Sequence, residues 1–334
     1  MELLQTIWFL LIVFLLLGYA VLDGFDLGIG ILTPVLAKKE EEKRVLFNAV
    51  GPVWDGNEVW LIAAGTSLFA AFPSVYATVF SGFYLALMLV LFALIFRAVS
   101  LEFWSFDRQN RKLWSATFVV GSLLPSFLYG VALGNIIQGI PLNSHLDFSG
   151  NFFTLLRPFP LAAGLLSLCA ILLQGSTYGA LKTEAEVQGR ARWVTSRLWL
   201  AFMVVFLLNI FLAILSVEGL ADRIVGWLFV LIVLLGWGLM KYFLTRGKDA
   251  AVFLSSSLIH VGLWGIIAAI QFPYLVRASN NPAYHLTIYN ASSGPLSLKV
   301  MTIIALVGMP IVIAYSIYVH RVFRGKVKLD SPGS

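Results

Sequence analysis

Four carboxylates interrupt the first two apolar stretches of the chain: Asp23 and Asp26 in one, Asp55 and Glu58 in the next. A charge in a lipid-facing segment costs about 2.5–3.5 kcal/mol at mid-membrane on insertion scales, so such groups persist where they pair, line water or move protons. Spacing of i, i+3 sets each pair on one side of a helix, so two such faces can share water, a proton or a counter-charge. Arg97, closing the third apolar stretch, supplies a guanidinium at the same level, and Glu102 follows it. These five acids and one arginine suit a proton or charge relay. The bland reading is that they pair and hydrogen-bond only to lock helices together.

Other residue types narrow the chemistry. Gly24 and Gly28 form a G-x-x-x-G step beside the acids, with Gly30 close by, which suits close helix packing. Of the four histidines, only His260 lies well inside an apolar run. It is the lone candidate for a metal or haem ligand, set against an ordinary hydrogen-bonded interior role, and haem held by paired histidines would need more. The single cysteine, Cys169, excludes a disulfide scaffold and a cysteine-ligated cluster. No phosphate-binding G-x-x-x-x-G-K-[ST] appears, and the tryptophans, Trp8, Trp54, Trp60, Trp104, Trp114 and Trp199 among them, read as interfacial anchors.

The elements that must carry these residues are membrane-spanning helices. Of 334 residues, 59% are hydrophobic and 12% charged, outside the range of soluble globular domains. Leu3–Leu22 is uncharged and long enough to cross a ~30 Å hydrocarbon core. With no basic segment before it and Asp23 and Asp26 after it, it reads as a span rather than a signal peptide. Runs at 3–33, 50–72, 75–97, 113–137, 158–180, 198–217, 224–241, 250–275 and 297–319 predict nine transmembrane helices in a single membrane domain, 1–334. Placing the N-terminus outside puts 19 of 23 basic residues, from Lys38 to Lys328, on the cytoplasmic side. Only Arg157, Arg223, Arg277 and Lys299 then face outward, and the positive-inside rule selects that orientation, with a cytoplasmic C-terminus. The net charge of +6 is explained by this topology, not by nucleic-acid binding. Helices one to four (1–137) and five to eight (158–275) could be two four-helix units with the ninth (297–323) appended; a single undivided bundle fits as well.

Three motifs carry a resemblance. Asp23-Gly24-Phe25-Asp26-Leu27-Gly28, Trp54-Asp55-Gly56-Asn57-Glu58-Val59-Trp60-Leu61 and Phe80-Ser81-Gly82-Phe83-Tyr84 closely resemble subunit II of cytochrome bd-type quinol oxidases. The match continues through Gly134-Asn135, Gly150-Asn151-Phe152-Phe153, Gln174-Gly175-Ser176-Thr177-Tyr178 and Ser292-Ser293-Gly294-Pro295-Leu296 to Val322-Phe323-Arg324-Gly325-Lys326-Val327. The resemblance implies an all-α integral membrane protein of nine helices, two four-helix bundles plus a peripheral helix, in the bacterial inner membrane. It implies a complex that oxidises quinol and reduces oxygen to water. Haem b and haem d would sit in a haem-bearing subunit I, with a small single-helix accessory subunit, a structural quinone and lipid as further companions. Asp55 would match an acid on a proton path toward the haems, Arg97 an arginine at the subunit interface and Asp26 an acid on helix one. Two departures stand out: Ala98-Val99-Ser100 follows Arg97 where the family often has Pro-Val-Gly, and Arg157 stands where asparagine is common. Without the resemblance, a proton-coupled transporter leads, and a purely structural scaffold subunit also fits every residue named.

Overall fold

The computed structural model describes residues 1–217, 219–220 and 223–327; Lys328 of the predicted cytoplasmic set lies outside them. The chain runs α1 (Glu2–Leu36), α2 (Glu40–Val50), α3 (Trp54–Ala71), α4 (Pro73–Gly82), α5 (Tyr84–Phe106), α6 (Arg111–Gln138), α7 (Pro158–Lys182), α8 (Ala185–Ser216), α9 (Ile224–Thr245), α10 (Asp249–Gln271) and α11 (Pro295–Val322). A two-stranded antiparallel ribbon, β1 (Tyr274–Val276) and β2 (Leu286–Thr287), precedes α11. The protein is an all-α integral membrane protein: among the described residues, eight helices are long and apolar enough to span. α3 is not one of the eight, because Asp55, Asn57 and Glu58 make its first turn polar. Its 18 residues still reach about 27 Å.

Several boundaries differ from the periodicity. α2 was not expected. Glu40, Glu41 and Glu42 favour its N-terminus through the helix dipole, and Val45, Leu46, Phe47, Ala49 and Val50 are buried. At 11 residues it is too short to span. The run expected as one helix over 75–97 is two, α4 and α5, meeting at Phe83. Thr78 Oγ1 donates to the Leu146 carbonyl, and Gly82 packs on Phe148, fixing α4 under the 139–157 connection. α8 begins 13 residues before the expected 198, since Val187, Ala191 and Val194 face the interior while Arg192 pairs with Asp249 across on α10. α10 stops at Gln271 because Pro273 disfavours helical backbone at Phe272, which is extended (φ −58°, ψ 131°).

α1 is the axis, packed against α3, α6, α7 and α10. Its crossing with α7 is set by Gly28 and Gly175, where a Cβ on Gly28 would lie 2.7 Å from Gly175 Cα. Gly24 is not part of that close approach: a Cβ there would meet Ile171 at an ordinary 4.0 Å. Apolar clusters close both ends of the bundle. One gathers Leu36, Leu46, Phe47, Trp104, Phe118 and Tyr178; the other gathers Trp8, Phe72, Ile140, Val276, Ile288 and Leu298. The anchor reading therefore fails for three tryptophans, since Trp8, Trp60 and Trp104 are buried. Trp8 donates to Leu298 O and Thr302 Oγ1 (3.3 and 3.0 Å), tying down α11, whose single buried residue is Leu298.

Candidate functional site

At the heart of the site, α5 delivers Arg97 into the bundle, where Nη1 and Nη2 donate to the two carboxylate oxygens of Asp23 on α1 at 3.0 and 2.5 Å. Both side chains are at most 1% exposed, so the pair is sealed from solvent and lipid. Two-point geometry of this kind is what lets a buried guanidinium offset part of its desolvation cost. The close approach depends on Gly121 of α6, where a Cβ would lie 2.6 Å from the Ala93 carbonyl and 2.9 Å from Arg97 N. Gly30 meets Ser122 of α6 in the same way, drawing α1 in from the other side.

Asp26 faces a different neighbour. Three residues of helix turn it about 60° from Asp23, and Asn57 Nδ2 of α3 donates to its Oδ2 at 2.7 Å. Its Oδ1 is buried without a protein partner, an acceptor that water would satisfy. Glu58, half-buried on α3, lies within electrostatic range of Asp23, Asp26 and Arg97. Asp55 is exposed on the surface of the chain. The four acids thus form a graded series, from surface to half-buried to sealed, along the contact of α1 with α3.

Glu102 is not brought into this set. It lies exposed on α5, because five residues at about 100° each carry it roughly 140° around the helix from Arg97. Conversely, Asn57, Gly121 and a tyrosine pair belong to the site, and residue type and spacing do not single them out. Asn57 lies inside the Trp-Asp-Gly-Asn motif, so the motif held that signal. Tyr19 stands one turn before Asp23 on α1, with its hydroxyl 3.4 Å from that of Tyr129 on α6. Nothing in local sequence marks them.

Beyond the tyrosines lies a cavity of about 320 Å³ between α1 and α6 to α10. Its wall is mostly apolar; Asn209, Arg223 and His260 are among its polar members. His260 Nδ1 lies 3.0 Å from the Ser256 carbonyl oxygen, and Nε2 is buried without a protein partner. Among the described residues no three His, Cys, Asp or Glu side chains gather as a metal site.

The sequence profile of the family described as cytochrome bd terminal oxidase subunit II matches residues 4–323. The chain belongs to this family. It is 36% identical to cytochrome bd-I ubiquinol oxidase subunit 2 of Escherichia coli (strain K12), over 98% of this chain and 96% of that protein. It is 34% identical to cytochrome bd ubiquinol oxidase subunit 2 of Bacillus subtilis (strain 168), over 98% of each. The fold is similar to a chain of the bd oxidase from Geobacillus thermodenitrificans, with a TM-score of 0.81 at 18% identity, covering 96% of this chain and 98% of that one. As a bd-type subunit II, the chain is part of an oxidoreductase complex of the bacterial inner membrane.

Proposed function

We propose that this chain is the haem-poor partner of a haem-bearing subunit I in a complex that oxidises quinol and reduces oxygen to water, and that its carboxylates feed protons from the cytoplasm to that reaction. The N-terminus and the 139–157 and 272–294 connections face outward; α2 and the C-terminus face the cytoplasm. The observation that carries the reading is the graded series itself: Asp55 exposed, Glu58 half-buried, Asp26 sealed with an unpaired oxygen, and Asp23 sealed against Arg97. A lone exposed carboxylate within a spanning surface is costly against lipid. Subunit I therefore covers the Asp55 turn, and Asp55 serves as the crossing point between the subunits.

Haem b and haem d, when bound, supply the oxygen chemistry, and we assign them to subunit I. His260 is among the residues lining the cavity, and a single imidazole does not make a paired-histidine site. The cavity suits an elongated apolar molecule with a hydrogen-bonding head, such as a structural quinone, with Asn209 and His260, each carrying a buried unpartnered nitrogen, among its lining residues. We read the helices as two four-helix units, 1–137 and 158–275, with α11 peripheral and α3 as the ninth span. A small accessory helix would find its place on the apolar faces left open.

The test is Asp55→Asn in the purified complex. A relay keeps the haem spectrum and complex yield and loses oxygen uptake, with Glu58→Gln less affected. A scaffold loses yield and keeps turnover per haem, and full activity of the assembled variant removes the relay.

A further inference from the structure

The hydroxyls of Tyr19 and Tyr129 lie between two features that are otherwise separate, the sealed acid–guanidinium pair and the interior cavity. Tyr19 is 5% exposed and one turn from Asp23 on the same face of α1. The charges of Asp23 and Arg97 act on its hydroxyl, and those of Asp23, Glu58 and Arg97 act on that of Tyr129. The two rings meet edge to face, with centroids 5.7 Å apart and planes at 86°, so each holds the other's orientation. Their hydroxyls are 3.4 Å apart, and both residues line the cavity. Packing alone does not need hydroxyls here, since two phenylalanines would pack edge to face equally well. A buried hydroxyl beside an ion pair is retained at a desolvation cost unless it hydrogen-bonds.

We propose that Tyr19 and Tyr129 are positioning residues whose paired hydroxyls, lying in the field of Asp23–Arg97, link that ion pair to the cavity wall, coupling what the cavity holds to proton handling by the carboxylates. The inference rests on the reading that this set exchanges protons during turnover. The titratable and charged groups facing the pair are Asp23 of α1, Glu58 of α3 and Arg97 of α5, with Arg223 and His260 on the rest of the cavity wall. No proton needs to leave either tyrosine. A hydrogen-bonding head at Tyr129 reorients its hydroxyl, Tyr19 follows, and the field at the ion pair changes.

The test uses the whole complex carrying Tyr19→Phe, Tyr129→Phe or both, with the haem spectrum as the control for assembly. Oxygen uptake is followed across pH at saturating short-chain quinol. Each single variant should move the midpoint of the pH profile by about half a unit, a usual size for coupling between neighbours. The double variant should move it no further than the more affected single one, because the hydroxyls act in series. Additive shifts, or unmoved profiles, would overturn the link. Vesicles with and without ubiquinone-10 test its cavity end: the midpoint should differ between them for the unsubstituted complex and not for Tyr129→Phe. An equal difference in both, or none in the unsubstituted complex, would sink the coupling. Full activity of Asp55→Asn with these shifts intact would remove the Asp55 route and leave the link standing.

Discussion

Asp23 and Arg97 are 74 residues apart in the chain and meet inside the bundle by two N–H···O contacts, with neither group reaching solvent. Such a pair is stabilising only as a pair: removing one member strands a buried charge at a cost of about 3–5 kcal/mol. Asp23→Asn should therefore sharply reduce assembled complex and its thermal stability. The joint replacement Asp23→Leu with Arg97→Met should recover assembly while leaving turnover impaired. If the joint variant is no more stable than Asp23→Asn, the stranded-charge account is wrong.

Asn57 and Glu102 make a contrasting pair of tests. Asn57→Leu removes the donor to Asp26 and leaves a sealed carboxylate with no protein partner, which should cost about 1–3 kcal/mol and depress oxygen uptake. Glu102→Gln alters an exposed side chain outside the set and should leave turnover and stability unchanged. Loss of activity in Glu102→Gln would restore the grouping suggested by its position near Arg97.

Helix approach gives a sharper steric prediction. Gly28→Ala drives a methyl into the Gly175 backbone, 2.7 Å away, and should destabilise by at least the ~1–3 kcal/mol typical of overpacking. Gly24→Ala meets only Ile171 at 4.0 Å and should be tolerated. Melting of the two purified complexes by a tryptophan-fluorescence ramp separates them, and equal losses would contradict the geometry.

At the basic end of the bundle, Glu42 of α2 is an acid-labile point. Burial pushes its carboxyl up, but the Arg190 guanidinium and the Lys38 and Lys39 backbone N–H groups outweigh that and hold it below the usual carboxylate range. A depressed folded value stabilises the native state above the ordinary carboxylate pKa of about 4.3, and that stability is lost as pH falls through the lower folded value. Hydrogen-exchange protection over residues 37–50, taken relative to the intrinsic rate at each pH, should fall as the medium is acidified below about pH 4. Glu42→Gln should exchange faster at neutral pH and lose that acid response.

The sequence by itself determined the membrane class, the approximate spans and the residues able to handle charge, because lipid imposes long apolar runs and makes every interior acid conspicuous. It also determined the family, through motifs that cluster around those acids. It missed α2 and the first turns of α8, where charged residues with partners elsewhere in the chain mask helical periodicity. Only the tertiary structure decided which acid meets which partner. Asp23 and Asp26 point about 60° apart and find different helices, Glu102 turns away from Arg97, and the glycine that matters most for seating Arg97 is Gly121, on a helix with no acids at all. Those choices depend on how closely α1, α3, α5 and α6 cross, which is set by side-chain volume at distant positions and leaves no trace in local spacing.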